Sequence, residues 1–185
     1  MSILGIENTS FEKYLDKQVS SKLNSDGSGG VSIWDLFGSL GDGSGSDIVS
    51  YAKKFLGCNE ADGSADKFLN GGSSSATPWC GAFVNFIMKH VAGNKSWFNM
   101  VQNPLYCPSI DEAAKSANVQ TSASNAKAGD IVLFDWDGDG VKDHVGIIAS
   151  NNNGTITTIE GNSSDQVQQN SYNASDGRLT ICKMA

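Results

Sequence analysis

Four strand-like segments follow one another in the C-terminal third of the chain and constrain its fold more than any other feature. Each alternates or runs apolar with β-branched residues, and turn-forming residues separate them. The segments are DIVLFDW from residue 130, HVGIIAS from 144, TITTIEG from 155 and LTICKM from 179. The sequence NNNG at 151–154 predicts a hairpin between the second and the third. We therefore expect an antiparallel sheet.

The segment TPWCGAFVNFIMKHVAG predicts a helix that packs on this sheet. Thr77 suits the N-cap and Pro78 the first helical position, so Cys80 falls in the first turn. Unpaired backbone N–H groups and the helix dipole favour a thiolate there, as a nucleophile requires. The alternative is a buried cysteine that packs as a small hydrophobic residue. A partner histidine would decide between the two.

An earlier helix is predicted in SDIVSYAKKFLG, with Ser46 or Asp47 as its cap and Gly57 as its stop. We divide the chain into an N-terminal appendage or linker at 1–45, with a further amphipathic segment at 10–23, and a catalytic domain at 46–185. A length of 185 residues suits one domain with a tail.

Charge and composition exclude several kinds of partner. A formal net charge of −7, with Arg178 as the single arginine, argues against a nucleic-acid partner. No apolar stretch could span a bilayer, and the first residues lack the pattern of a signal peptide. The cysteines lack the C-x-x-C spacing of a zinc site, while one disulfide stays open. We expect a monomer, with residues 1–45 as a docking element.

His144, one of two histidines, begins the second strand segment and is a candidate partner for Cys80. If Ile148 faces Ile156 across the hairpin, then His144 faces Glu160, with about 5 Å between their Cβ atoms. Glu160 could then accept a hydrogen bond from one imidazole nitrogen while the other points at the thiolate. This arrangement is a nucleophile, a base and an orienting carboxylate, in that chain order.

The loop DWDGDGVKD directly before His144 has the spacing of a calcium-binding loop. Its candidate ligands, at positions 1, 3, 5, 7 and 9, are Asp135, Asp137, Asp139, the Val141 carbonyl and Asp143. Gly146 occupies position 12, where a bidentate glutamate is expected, so another residue or water must complete the shell. An acidic, solvated turn without a metal is the alternative.

The segments TPWCGAFVNFI, AGDIVLFDWDGDGVKDHVGII and IEGN resemble, in order and spacing, the motifs of the CHAP family. The resemblance covers about residues 46–185. These cysteine, histidine-dependent amidohydrolases and peptidases cut peptidoglycan. The resemblance implies an α+β, papain-like fold, with N-terminal helices and a nucleophile at a helix N-terminus packed on an antiparallel β-sheet. It also implies that Cys80 is the nucleophile and His144 the base, while Glu160 and Asn162 compete for the third role.

The resemblance further implies bacterial peptidoglycan as the substrate, cut at an amide bond through a cysteine thioester. The residues do not separate an N-acetylmuramoyl-L-alanine amidase from a stem or cross-bridge endopeptidase. Trp79 would line the substrate cleft or anchor the core, and Gly81 would let a substrate approach the backbone.

Two alternatives stay open: a cysteine protease or acyltransferase that acts on proteins, and a catalytically silent, calcium-stabilised binding module. If the substrate is peptidoglycan, the protein acts in the bacterial cell wall or periplasm. Delivery by a phage, a tail-like device or a specialised secretion system would bring it there.

Overall fold

The structure is a computed structural model that describes residues 44–92 and 96–184. These residues form helices and an antiparallel sheet. The α-helices in these ranges are α1 (Gly45–Lys53), α2 (Cys80–Val91) and α3 (Cys107–Ser116). The strands are β1 (Gln120–Thr121), β2 (Ile131–Phe134), β3 (His144–Asn152), β4 (Thr155–Ser163), β5 (Gln166–Asn173) and β6 (Leu179–Cys182). The predicted α+β class is confirmed, while the papain-like type stays a prediction.

The sheet has the strand order β1-β6-β2-β3-β4-β5, and every neighbouring pair is antiparallel. The four predicted strand segments correspond to β2, β3, β4 and β6. Strand β5, with the sequence QVQQNSYN, was not predicted, because glutamine and asparagine residues are not typical of a strand. It lies at the edge of the sheet, where one face of a strand can stay polar.

The β3–β4 hairpin closes through Asn153 and Gly154, whose φ angles are 51° and 84°. Two successive left-handed residues are typical of a type I′ turn, which Asn-Gly favours. The predicted pairing of Ile148 with Ile156 is wrong: Ile148 pairs with Thr158, and Ile156 with Asn151. A short turn and a β-bulge between Ile148 and Ser150 set this register.

Strand β2 is buried on both faces of the sheet, and its alternating side chains belong to two hydrophobic clusters. Ile131 and Leu133 pack in the cluster that contains the helices, whereas Val132 and Phe134 pack in the other. Helix α2 contacts strands β3 and β4. The core therefore fixes the first residue of α2 relative to the strands that carry His144 and Glu160.

Two predicted helix starts differ from the structure. Helix α1 is capped by Ser44, whose side chain accepts a hydrogen bond from Asp47 N, so the cap lies two or three residues earlier than predicted. Helix α2 begins at Cys80, with Trp79 at the N-cap position in place of Thr77. Thr77 is extended, with φ −144° and ψ 129°, which explains the later start.

Helix α3 was not among the helices predicted from the sequence. Its signals are Pro108 in the first turn and the spacing of Ile110, Ala113 and Ala114, which are buried. The predicted segment at 10–23 lies outside the described residues, and the division at residue 45 stays a prediction. Within the described ranges, every helix is too short or too polar to cross a membrane.

Candidate active site

The first turn of α2 presents Cys80 at its start, with the side chain 6% exposed. The backbone N–H of Phe83 closes the first helical turn onto Trp79 O at 2.9 Å. In a helix, the N–H groups before this point have no intrahelical partner. They are available to stabilise a negative charge beside the sulfur.

His144 is hydrogen-bonded to Glu160, as expected, but the two residues do not face each other directly across the hairpin. His144 Nε2 lies 2.9 Å from Glu160 Oε2. The register of the hairpin, continued from Ile147 and Ile159, places Gly146 opposite Glu160. A Cβ on Gly146 would lie 2.7 Å from Glu160 Cγ. The glutamate therefore crosses diagonally over a glycine to reach the imidazole.

The carboxylate of Glu160 is 1% exposed and fully hydrogen-bonded. Thr158 Oγ1 donates to Oε1, and the Tyr172 hydroxyl donates to Oε2 at 3.3 Å. Burial alone would raise the pKa of Glu160, but the hydrogen bond and charge of His144 outweigh it and lower the pKa. Thr158 and Tyr172 were not predicted. The signal for Thr158 was its position two residues before Glu160, on the same face of the strand.

Cys80 and His144 interact, and each stabilises the charged form of the other. The hydrogen bond from Cys107 contributes most to lowering the pKa of Cys80, and with the hydrogen bond and charge of His144 it brings the pKa to about 5. Burial would lower the pKa of His144, but the hydrogen bonds to Cys80 and Glu160 raise it to about 9. The pair is therefore a thiolate and an imidazolium near neutral pH. Since Nε2 bonds Glu160, Nδ1 is the nitrogen left for the thiolate.

A second cysteine that sequence reasoning did not connect to the site lies next to the nucleophile. Cys107 Sγ is 3.8 Å from Cys80 Sγ, and its side chain is 5% exposed. The hydrogen bond to Cys80, together with burial, raises the pKa of Cys107, so it stays a neutral thiol. Its contact spans 27 positions along the chain, and no local pattern signals it.

Asn162, the competitor for the third role, points elsewhere. With its amide oriented to satisfy both neighbours, Nδ2 donates to Glu60 Oε1 at 3.1 Å and Oδ1 accepts from Trp79 N at 3.2 Å. Its φ of 55° belongs to a register shift between Glu160 and Ser163. The bulge turns the amide away from His144 and toward the start of α2.

The two predicted substrate-binding residues take structural positions. Trp79 is completely buried, stacks on Phe68 at 5.6 Å and donates from Nε1 to Glu60 Oε1, so it anchors the core and does not line a cleft. Gly81 is also buried, and a Cβ there would overlap Pro104 O. The group that lies close to Gly81 is therefore the carbonyl of Pro104, where a substrate had been expected.

The acidic loop at 135–143 connects β2 to β3 and ends directly before His144. One oxygen each from Asp135, Asp137 and Asp143 lies within 4.8 Å of the others. Gly138 N and Gly140 N donate to the Asp135 carboxylate at 2.8 and 3.0 Å, and Trp136 N donates to Asp143 Oδ2 at 2.6 Å.

Of the other predicted ligands of this loop, Asp139 is placed differently. Asp139 lies outside the group of three, and its Oδ1 accepts from the N–H of Val141, whose side chain is exposed. Gly146, at position 12, lies buried in β3 and has no side chain to offer.

A thiolate, an imidazolium and a buried carboxylate, linked in that order, form the kind of site that cysteine hydrolases and acyl-transfer enzymes use. Residues 72–162 match the family model of the CHAP domain, which confirms the family that the sequence motifs predicted. CHAP domains are typically cysteine- and histidine-dependent amidohydrolases or peptidases associated with peptidoglycan. No curated protein matches the chain.

Proposed function

We propose that this protein is a peptidoglycan hydrolase that cuts an amide bond through a thioester on Cys80. The observation that carries the proposal is the linked set Cys80, His144 and Glu160, in which the carboxylate bonds the imidazole at 2.9 Å and the imidazole interacts with the thiol. Membership of the CHAP family supports the substrate class.

In the first half of the reaction, the Cys80 thiolate attacks the carbonyl carbon of the amide. Backbone N–H groups in the first turn of α2 stabilise the developing negative charge on the carbonyl oxygen. His144 then gives the proton of its imidazolium to the departing nitrogen. The C–N bond breaks, the amine leaves, and the acyl group stays on sulfur as a thioester.

In the second half, the neutral His144 takes a proton from a water molecule, whose oxygen attacks the thioester. The C–S bond breaks, Cys80 leaves as a thiolate, and the product is a carboxylic acid. Glu160 accepts the hydrogen bond from Nε2 throughout and stays ionised. It holds the ring with Nδ1 toward the sulfur and stabilises the imidazolium.

Incubation of the full chain with purified peptidoglycan, followed by mass analysis of the released fragments, tests this proposal. Free stem peptides with an L-alanine terminus identify an amidase, whereas muropeptides with shortened stems or opened cross-bridges identify an endopeptidase. Cys80→Ala and Cys80→Ser should abolish release, while Cys58→Ser, a change outside the site, should leave it unchanged. Intact peptidoglycan together with cleavage of a protein substrate would favour a cysteine protease instead.

We also propose that the acidic loop binds a calcium ion. The oxygens of Asp135, Asp137 and Asp143 fit the ligand chemistry of this cation, and a charge of the opposite sign would relieve their repulsion. Asp139 is a weaker candidate, since it lies apart from the other three, while the Val141 carbonyl stays a candidate ligand. The ion would stabilise the connection that leads into His144 and take no part in bond cleavage.

The proposed substrate sets the proposed place of action, which is the bacterial cell wall or periplasm. A delivery or docking role for residues 1–45 concerns a segment outside the described residues and stays a prediction. A pull-down that compares the full chain with the fragment 46–185 would test it.

A further inference from the structure

The nucleophile has a cysteine neighbour at the start of another helix. Cys80 is the first residue of α2 and Cys107 the first of α3, and their sulfur atoms are 3.8 Å apart. Both side chains are buried, with 6% and 5% exposure. A disulfide has an S–S distance of about 2.0 Å, so side-chain rotation at two adjoining helix ends would have to close the gap.

Backbone packing holds this pair together. Gly81 lies against the carbonyl oxygen of Pro104, so closely that a Cβ at position 81 would overlap that atom. The same Cβ would lie 3.4 Å from Ile110 Cδ1 of α3. The segment that leads into Cys107 is therefore seated directly on the first turn of α2, and the contact between the two sulfurs follows from the fold.

The two sulfurs also differ in protonation. The pKa of Cys80 is lowered and that of Cys107 raised, so a thiolate faces a neutral thiol. Thiolates react with peroxides, and a sulfenic acid formed beside a thiol condenses with it to a disulfide. The other two cysteines differ: Cys182 is buried and its pKa is raised to about 12, and Cys58 lies at a half-buried position beside Lys67.

We propose that Cys80 and Cys107 are a reversible redox pair, with Cys107 as the resolving thiol, and that their disulfide switches the hydrolase off. This regulation rests on the proposed function, because it acts by consuming the nucleophile. The oxidant belongs to the class of peroxides, with hydrogen peroxide as the simplest member. The disulfide would also protect Cys80 from further, irreversible oxidation.

The chemistry balances in two steps. The Cys80 thiolate attacks one oxygen of hydrogen peroxide, the O–O bond breaks, and a sulfenic acid and hydroxide form; the hydroxide takes a proton and becomes water. The Cys107 sulfur, losing its proton, then attacks the Cys80 sulfur, and the sulfenic oxygen leaves as a second water. Two electrons pass from the two sulfurs to the peroxide. A dithiol reductant returns both cysteines to their original state by thiol–disulfide exchange.

The test treats the pre-reduced full chain with one equivalent of hydrogen peroxide, alkylates the remaining thiols and maps the peptides by mass. The expected result is a Cys80–Cys107 cross-linked peptide, with Cys58 and Cys182 alkylated and the cross-link lost after dithiothreitol. In Cys107→Ser the same treatment should leave oxygen adducts on Cys80, and a second equivalent should make them resistant to dithiothreitol. Cys58→Ser, as the control, should behave like the wild type.

An oxidised wild-type chain with oxygen adducts on Cys80 and a freely alkylated Cys107 would overturn the proposal. So would a cross-link from Cys80 to Cys58 or Cys182. The wild-type result decides the matter even if Cys107→Ser fails to fold. Cross-linking is measured without substrate, so a redox pair in a chain that leaves peptidoglycan intact would refute only the proposed function. Hydrolysis that is lost in Cys80→Ala but survives peroxide treatment without any Cys80–Cys107 cross-link would refute only the switch.

Discussion

Gly146 lies opposite Glu160 in the β3–β4 hairpin, and the missing side chain is what lets the carboxylate reach His144. A direct pairing of the histidine and the glutamate, as the sequence suggested, would need another register. The diagonal arrangement makes a glycine in the middle of a strand part of the site, where glycine is otherwise unfavourable.

Gly146→Ala should lower kcat with only a modest loss of stability. The new Cβ would lie 2.7 Å from Glu160 Cγ and push the carboxylate away from the imidazole. We expect a decrease of roughly 100-fold, at the lower end of what general acid–base catalysis contributes. Gly177→Ala is the matched control, because a Cβ there meets no atom within 4 Å. Equal kcat values for the two variants would contradict the proposed role of Gly146.

Glu160→Gln should impair hydrolysis more than Asn162→Ala. The glutamine keeps the shape of the side chain but loses the charge that stabilises the imidazolium, and a drop of roughly 100-fold or more in kcat is expected. Asn162→Ala removes the hydrogen bond to Trp79 N and leaves an alanine at a φ of 55°, so its main effect should be on melting temperature. The reverse order of kcat, measured on fully folded samples, would give the third role to Asn162.

Cys80 should be the first cysteine to react with iodoacetamide at pH 7 in the reduced chain. Its pKa of about 5 leaves it as a thiolate at that pH, whereas the pKa of Cys107 is raised and that of Cys182 is about 12. The rate should fall as the pH drops below about 5, because the thiolate is then protonated. Quenched labelling with peptide mapping measures each site, and equal rates at all four cysteines would rule out an activated Cys80.

Calcium should raise the melting temperature of the full chain. A ligand that binds the folded state alone stabilises it by about 2.7 kcal/mol at a hundredfold excess over its dissociation constant. Asp137→Asn should remove the rise, since Asp137 belongs to the group of three close carboxylates, while Asp139→Asn should affect it less. Calorimetry of chelator-treated protein compares calcium with magnesium at matched ionic strength. Equal shifts with both ions would mean that the loop is only a screened acidic turn.

Local patterns predicted the parts of the fold that depend on neighbours in sequence. Alternating apolar residues located β2, β3, β4 and β6, and the Asn153-Gly154 pair marked the turn of the hairpin. The helix start near Cys80 was displaced by two residues because Trp79 takes the N-cap position. The register was wrong mainly because the turn has only two residues, so that Asn152 pairs with Thr155, and the bulge between Ile148 and Ser150 changes the pairing again.

The site was predicted where chemistry restricts the residue type and missed where only packing decides. With His90 at the end of α2, His144 was the one histidine placed to meet Cys80, and a carboxylate on the facing strand was a natural partner. Cys107 and Tyr172 reach the site through contacts across the fold. Trp79 was open to two interpretations, and only its burial beneath the first turn of α2 decided for the core.

Strand β4 sends neighbouring polar side chains in two directions, with Glu160 toward His144 and Asn162 toward the backbone at the start of α2. The same strand therefore holds both the catalytic base and the turn that carries the Cys80 sulfur. Sliding of the helices against the sheet would strain the hydrogen bonds of both Glu160 and Asn162. Deleting Gly161 would change the spacing between Glu160 and Asn162. Strand β4 could then no longer hold His144 and the start of α2 in their present relative positions.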